Sequence, residues 1–433
     1  MSVRLPLLTP SVPGLRYSCH GCGACCRDFT IELRMKDFEK LERQGWQAEL
    51  GEPFWTVFRG RRWLRQRPDG ACIFLQEDGR CRVHARFGME AKPLACQLFP
   101  FSFAPGPERA RVGVSFACSS VQRGLGAELP SHAQDLRRMQ GELPEATSPR
   151  AAPDLLRGVA GTVAEVEAVR EAMDALLGDR ATPWTVRLTG FAWVAQSLRL
   201  ANLDAVRGER LAELVTTLTT AAPAELPLLD AVEPSDRSWR LLRQAVFARV
   251  EDPKIPHLQR AGRLRTVLGQ WARSRAWARG RGTMPPMPGW PEVHFDRVAS
   301  VGMPDKGPEG EAVGEIFVRW MRATLLGDRA WGAGLHGWPV LEGLGMTALN
   351  MLCAAWLARA HAAGSGRSQV TLADAQQAIG RVDRTASRAV WLGSTGEYLR
   401  LAWLCRGDHL RRLARNLFST AAGAEPAAAV RAG

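Results

Sequence analysis

Cysteines crowd the amino-terminal part of this sequence. Eight of its ten cysteines lie within residues 19–118, and the first four, Cys19, Cys22, Cys25 and Cys26, form the compact pattern CxxCxxCC. Glycines at positions 21 and 23 allow the backbone to coil tightly, so that the first three thiols can face one point. Thiolates gathered in this way bind a metal ion or a metal cluster.

The spacing favours an iron–sulfur cluster over zinc. Three cysteines at two-residue intervals supply three of the four thiolates in bacterial-type iron–sulfur ligation, and the fourth comes from a distant part of the chain. The distant candidates are Cys72, Cys81, Cys96 and Cys118. A mononuclear zinc site typically uses two CxxC pairs, and only one stretch of this chain has that spacing. We therefore predict an iron–sulfur cluster, with [4Fe-4S] favoured and zinc as the alternative.

Cys26 does not fit a single centre, because the side chains of adjacent residues diverge and one ion rarely binds both Cys25 and Cys26. The eight thiols divide either into two four-thiolate sites or into one cluster with spare thiols, and the sequence leaves both divisions open. Ordinary buried cysteines and a disulfide framework are the competing interpretations. The two remaining cysteines, Cys353 and Cys405, lie in apolar helical runs and are predicted to be core residues.

The apolar segments and the charge of the sequence limit the location and the partners of the protein. The first 17 residues contain no apolar core of a secretory leader, so export is not expected. The most hydrophobic segment, residues 341–363, is interrupted by polar residues, so we do not expect a membrane span. These residues are Glu342, Asn350, Arg359 and His361. The net charge is +13, but the arginines are spread along the whole chain, which argues against nucleic acid as a partner. We predict a cytoplasmic protein without a membrane partner.

Several charged residues near the cysteines are candidates for supporting roles. A thiolate-ligated centre is negatively charged, and nearby cations can offset that charge. The candidate cations are Arg27, Arg80, Arg82, Arg86 and Lys92. Candidate proton acceptors are Asp28 and Glu32. Candidate histidine ligands are His20 and His84, the latter in a Cys81-x2-His84 arrangement.

The pattern of the chain predicts an α+β protein, in which a small cysteine-rich metal-binding domain with short strands precedes a mainly α-helical domain. Strand-like runs surround the cysteines, at residues 71–75 and 111–117, and amphipathic helical runs cover 184–204, 236–250, 311–327, 341–363 and 397–418. Thr371 and Asp374 resemble a helix-capping pair. The predicted limits are 1–123 for the metal-binding domain, 124–153 for a linker, 154–420 for the helical domain with a long Pro/Gly-rich loop at 279–310, and 421–433 for a disordered tail.

Four linked motifs occur in order along the first quarter of the chain. They are CxxCxxCC at 19–26, IEL at 31–33 followed by Asp37 and Leu41, DGACIFL at 69–75 with DGRC at 78–81, and KPxxCxxFPF at 92–101. On these motifs the chain resembles the CxxCxxCC cysteine-cluster family, zinc- or iron-chelating proteins of the YkgJ type. The resemblance spans about residues 17–120 and implies that the eight cysteines bind metal.

The layout is also similar to that of flagellin lysine N-methylases, in which such a cysteine domain precedes a helical half, and GVSFAC at 113–118 resembles their strand-to-cysteine segment. That similarity implies S-adenosylmethionine-dependent methylation of lysines on a protein substrate. No Gly-rich strand-turn-helix motif for this cofactor occurs in the sequence, so it would bind at the metal centre or in another pocket. The alternative hypothesis is a non-catalytic chelating or redox-responsive interaction module. The sequence does not indicate an oligomeric state.

Overall fold

A computed structural model describes residues 5–229, 232–251, 263–386 and 388–420 of the 433-residue chain. Short strands lie in the amino-terminal part and helices make up most of the remainder, which confirms the predicted α+β class. The tail predicted to be disordered, residues 421–433, lies outside the described residues.

The strands are short and form small sheets. They are β1 (Leu7–Leu8), β2 (Arg16–Tyr17), β3 (Trp55–Phe58), β4 (Arg61–Leu64), β5 (Phe101–Pro105), β6 (Ala110–Val114) and β7 (Ala127–Glu128). β6 is the middle strand of a sheet in which it runs parallel to β1 and antiparallel to β5, with Phe101 opposite Val114. β2 pairs with β7 and β3 pairs with β4, both antiparallel. β6 is buried along its whole length, and it leads toward Cys118.

Short helices alternate with these strands around the cysteines. They are Ala24–Asp28, Met35–Arg43, Trp46–Leu50, Arg82–Phe87, Leu94–Leu98 and Ser119–Gln122. The segment predicted as a linker, residues 124–153, contains β7 and the helices Ala133–Gly141 and Pro144–Thr147. The predicted domain limits stay a prediction.

The carboxy-terminal part is helical. Its helices are Val163–Gly178, Trp184–Arg199, Glu209–Glu225, Asp236–Val250, Arg263–Arg279, Phe295–Val298, Gly307–Leu326, Val340–Gly364, Leu372–Ala386, Thr395–Leu404 and His409–Leu417. The predicted helical run at 397–418 contains two of these helices, because the chain turns at Asp408, which has a left-handed φ of 67°. Thr371 and Asp374 cap the helix Leu372–Ala386 reciprocally, as predicted.

The helix Val340–Gly364, here called the central helix, is long and apolar enough to cross a membrane by length and composition, and its most apolar part is completely buried inside the protein. It packs against the helices Leu372–Ala386, Trp184–Arg199 and Asp236–Val250. The polar residues that interrupt it have internal partners: Asn350 accepts a hydrogen bond of 2.6 Å from Arg249, and Arg359 donates one of 2.8 Å to the carbonyl of Asn416.

Two hydrophobic cores are present in the described residues. The large core includes the central helix, β6, Cys118 and the two carboxy-terminal cysteines Cys353 and Cys405, as predicted for the latter pair. The small core lies in the cysteine-rich part. Its buried members are Leu33, Phe38, Leu41, Trp46, Phe54, Leu64, Cys72, Ile73, Phe74 and Val83. The cysteines therefore lie at and between two separately packed cores.

A capping box fixes the start of the helix Val163–Gly178. The Thr162 hydroxyl accepts a hydrogen bond from the backbone N–H of Glu165, and the Glu165 carboxylate accepts bonds from the backbone N–H of Thr162 and from Arg207 at 2.7 Å. The Arg207 guanidinium is the main reason that the pKa of Glu165 is lowered to about 2. We expect Glu165→Gln to lower the free energy of unfolding at neutral pH by about 1–3 kcal/mol, measured by urea denaturation.

The effect of Glu165→Gln on stability should depend on pH. Because the pKa of Glu165 is lower in the folded state, its contribution is present above its ordinary value of 4.5 and is lost as the pH falls toward about 2. The difference in stability between the wild type and Glu165→Gln should therefore shrink over that interval. Glu213→Gln, at an exposed glutamate on the next helix but one, is the control and should show little difference. A difference that is constant with pH would contradict this role of Glu165.

Candidate metal centre

The cysteine loop, residues 19–26, packs directly on the turn that precedes Cys81. Gly23 has a left-handed φ of 68°, and a Cβ atom there would lie 2.9 Å from the carbonyl oxygen of Gly79. Gly79 has a φ of 85°, and its own Cβ would lie 3.0 Å from the carbonyl oxygen of Gly21. Only glycine permits this approach of two backbones. The contact brings Cys81 to the cysteine loop.

Backbone pairing holds Cys72 at the same place. The Cys72 N–H donates a 2.8 Å hydrogen bond to the carbonyl of Cys26. Leu75 pairs with Cys81 in an antiparallel bridge, so the segment turns back on itself as the sequence predicts. Cys72 and Cys81 therefore lie on opposite sides of one tight turn, beside Cys26.

Cys96 and Cys118 reach the site from other elements. Cys96 lies in the helix Leu94–Leu98, whose first N–H is capped by Asp37 at 3.0 Å. Cys118 follows β6 and immediately precedes the helix Ser119–Gln122, as expected for a cysteine at the end of a strand. The Cys22 thiol lies 3.2 Å from the Ser119 hydroxyl, which places the cysteine loop against the start of that helix.

The eight cysteines line two adjoining cavities. The first cavity, about 340 Å³, is lined by Cys25, Cys26, Cys72, Cys81 and Cys96. The second cavity, about 470 Å³, is lined by Cys19, Cys22, Cys25, Cys26, Cys81, Cys96 and Cys118. The fold thus brings together thiols from separated stretches of the chain, while their assignment as metal ligands stays a prediction.

The thiols are not yet arranged as a ligand shell. Within the described parts of the chain, no group of three His, Cys, Asp or Glu side chains is placed to hold one ion. All ten cysteines are free thiols. Binding of a metal would therefore require the cysteine side chains to rotate within the cavities, so that ligation and local ordering occur together.

The side chains of Cys25 and Cys26 differ from the prediction in their direction. The sequence suggested that their side chains diverge, but their Sγ atoms lie 4.0 Å apart and share a hydrogen bond. That bond, with help from the positive charge of Lys92, lowers the pKa of Cys25 to about 6, and it raises the pKa of Cys26 above its ordinary value. Adjacent positions in a short helix can converge when a proton lies between the two sulfurs. Cys25 is the thiol most readily present as thiolate.

Burial raises the pKa of three other thiols. It raises the pKa of Cys72 to about 12, that of Cys118 to about 11, and that of Cys96 above its ordinary range. A metal that binds these sulfurs must displace their protons, so metal binding becomes more favourable as the pH rises.

Lys92 lies inside the cluster of thiols. It is only 6% exposed and lines both cavities. Burial opposes its charge, but the thiolates of Cys96, Cys81 and Cys25 raise its pKa above the ordinary value. Among the predicted cations, Arg80 and Arg86 instead pair with Asp78 and Glu49. Lys92 is thus the predicted cation with the most direct position for offsetting thiolate charge.

The predicted carboxylates and histidines have defined neighbours. Asp28 pairs with Arg384 at 2.6 Å, and Glu32 pairs with Arg61 at 3.0 Å, so both carboxylates form ion pairs. Their role in proton transfer stays a prediction. His20 lies 2.7 Å from Arg123.

His84 lines the second cavity, and burial with the nearby Lys92 charge lowers its pKa. His20 lines the same cavity, and a neutral imidazole can donate an electron pair to a metal, so both histidines lie at the candidate site.

The sequence analysis missed the buried carboxylate that holds the strand-to-cysteine segment. Asp383 accepts hydrogen bonds from the Ser115 hydroxyl at 2.6 Å and from Trp320 at 2.9 Å, and it forms an ion pair with Arg329 at 3.0 Å. Ser115 lies 268 positions away in the sequence, so no local pattern could have indicated the contact. Asp383 connects the approach to Cys118 with the helical part of the protein.

Comparisons with known proteins match the cysteine-rich part. The model of the CxxCxxCC family, "Putative zinc- or iron-chelating domain", matches residues 18–119, which confirms the resemblance over this quarter of the chain. An uncharacterized protein of Methanocaldococcus jannaschii, MJ0939, is 30% identical over 89 residues, which cover 21% of this chain and 30% of the archaeal protein. The match therefore spans less than a third of that relative. No solved structure matches the chain.

Proposed function

We propose that residues 18–119 hold zinc or iron through cysteine thiolates, with an iron–sulfur cluster as the favoured form, and that the helical part recognises a partner protein. The observation that supports this proposal is the gathering of eight thiols around two adjoining cavities. Thiolates are the soft ligands that zinc and iron–sulfur clusters prefer. Free thiols of this kind persist in a reducing compartment, so we place the protein in the cytoplasm.

The residues suit such a centre in charge as well as in ligand type. Four thiolates around one centre leave a net negative charge, and the buried Lys92 lies next to four of the cysteines. An iron with one position free of thiolate supplies Lewis-acid chemistry when bound, because it can hold the amino and carboxylate groups of a cofactor.

Elemental analysis of anaerobically purified full-length protein tests the proposal. We expect bound iron together with acid-labile sulfide, and a brown colour with broad visible absorption. Zinc in a colourless protein would support the zinc form of the same proposal. A folded preparation that contains neither metal, even after reconstitution with each, would contradict it.

Removal of the metal should affect the two cores unequally. Cys26, Cys81 and Cys96 pack against the small core, and Cys72 is part of it. We therefore expect a chelator to increase amide hydrogen exchange throughout residues 24–98 much more than in the central helix, which belongs to the large core. Hydrogen exchange measured by mass spectrometry, with and without chelator, checks this. Equal protection of the small core in both samples would show that metal does not stabilise it.

A finer activity, S-adenosylmethionine-dependent methylation of protein lysines, is proposed from the similarity in layout. One observation favours a small-molecule site beside the thiols: the first cavity is also lined by aromatic side chains, those of Phe29, Phe99 and Phe101. Apolar cavities with few polar groups are typical ligand sites. Calorimetry with S-adenosylmethionine should show binding to metal-loaded protein and much weaker binding after chelation. Absence of binding to the loaded protein would exclude this activity.

The alternative proposal is a non-catalytic module in which metal occupancy controls partner binding. The Asp28–Arg384 ion pair and the contacts of Asp383 connect the cysteine-rich part with the helix Leu372–Ala386. Ordering of the cysteine loop can therefore be transmitted to the helical part. Binding of a partner that depends on metal, in a protein that does not bind S-adenosylmethionine, would favour this alternative over the enzyme.

A further inference from the structure

We propose that the eight thiols form two separate four-thiol metal sites, an inference that rests on the proposed metal binding. The first site, here called the outer set, consists of Cys19, Cys22, Cys25 and Cys118. The second site, here called the inner set, consists of Cys26, Cys72, Cys81 and Cys96. The sequence permits this division as well as a single cluster with spare thiols, and the geometry favours the division.

The inner set is defined by the small core. All four of its cysteines contact that core: Cys72 belongs to it, and the other three pack against it. All four also line the first cavity. The backbone bond from Cys72 to Cys26 and the bridge between Leu75 and Cys81 fix three of the four positions relative to one another. The inner set is therefore complete with four thiols on one packed unit.

Three of the outer cysteines are separated from the first cavity. Cys19, Cys22 and Cys118 line the second cavity and do not line the first. Cys118 belongs to the large core rather than the small one. The contact between Cys22 and Ser119 places the loop thiols next to Cys118. Of the inner set, Cys72 does not line this cavity, whereas Cys26, Cys81 and Cys96 do, so the two sets adjoin.

Two arguments assign Cys25 to the outer set: its position and the number of thiols that each set then contains. It lines both cavities and does not belong to the small core. It has the two-residue spacing from Cys22 that a loop around one centre requires. With Cys25 the outer set reaches four thiols, whereas adding it to the inner set would leave five there and three outside. Cys25 and Cys26 then contribute to different centres, which adjoin where the Sγ atoms of the two residues lie 4.0 Å apart.

The two sets differ in their contact with solvent. Two outer thiols, Cys19 and Cys22, are exposed, although Cys118 is buried, whereas no inner thiol is exposed. Exposed thiolates are more accessible to a chelator than buried ones. The inner site therefore stabilises the small core, and the outer site exchanges its metal more readily. We expect metal in the outer site to reach a chelator much faster.

The test uses anaerobically purified full-length protein with its bound metal. Metal content and the time course of release to a chromophoric chelator are measured for the wild type, Cys19→Ser and Cys96→Ser. We expect two phases of release in the wild type. Cys19→Ser should lose the fast phase and its share of the metal, and Cys96→Ser should lose the slow phase and its share. Cys353→Ser, a buried cysteine in the large core, is the control and should keep both phases.

Several outcomes would overturn the division. Loss of all metal in both Cys19→Ser and Cys96→Ser would indicate one shared centre, and so would a single phase of release in the wild type. Retention of full metal content by either variant would show that its cysteine is not a ligand. If Cys96→Ser does not fold, Cys81→Ser tests the same site at another half-buried position. Absence of metal from the wild type would instead contradict the proposed function itself.

Discussion

Replacement of Asp383 by alanine is expected to lower the free energy of unfolding by about 3–5 kcal/mol. Asp383 is buried and pairs with Arg329, which is only 7% exposed. Its removal leaves the guanidinium charge uncompensated in the interior, and it also removes the acceptor for Ser115 and Trp320. Urea denaturation followed by circular dichroism measures the change.

Two further variants show whether the charge of Asp383 is responsible. Asp383→Asn keeps an oxygen acceptor but removes the charge that faces Arg329, so its effect should lie between those of wild type and Asp383→Ala. Asp204→Ala, at an exposed aspartate, should leave stability nearly unchanged. Because Asp383 holds Ser115, which leads to Cys118, the alanine variant should also release metal faster. An unaltered denaturation midpoint in Asp383→Ala would contradict the assigned role.

Lys92→Met is expected to weaken metal binding by about 10–100-fold, the range typical of residues that support metal ligands without touching the metal. The methionine fills a similar volume but leaves the clustered thiolates without the buried positive charge that lies near Cys96, Cys81, Cys25 and Cys26. Competition with a chromophoric chelator under anaerobic conditions measures the affinity. If the inner set is a separate site, the weaker binding should appear mainly as faster release of the metal in the slow phase.

Matched variants separate charge from packing. Lys92→Arg keeps the positive charge and should bind metal more tightly than Lys92→Met, although its larger head group does not fit the same space. Lys36→Met removes an exposed lysine elsewhere in the cysteine-rich part and should have no effect. If Lys92→Met binds metal as tightly as the wild type, the thiolates do not need this cation.

Helices and helix caps were predicted correctly where the residues that specify them are close together in the sequence. The amphipathic run at 236–250 coincides with the helix Asp236–Val250, and the reciprocal capping by Thr371 and Asp374 was predicted from two residues three positions apart. The run at 397–418 was predicted as one helix and is two, because two successive left-handed residues, Gly407 and Asp408, interrupt it without changing the apolar pattern. The apolar composition of residues 341–363 suits both a membrane span and a buried helix, and only the polar interruptions argued against a span; the fold buries the most apolar part of this helix completely.

The sequence by itself determined the chemistry of the protein: the number and spacing of the thiols, the glycines that let their loop approach another backbone, and the resemblance that the comparison confirmed over residues 18–119. Only the tertiary structure decided which thiols are neighbours. Cys26 lies against Cys72 and Cys22 lies against Ser119 because the cysteine loop packs against elements of two distinct cores. Such contacts join residues far apart in the chain, and they depend on how whole elements pack, which no local spacing encodes.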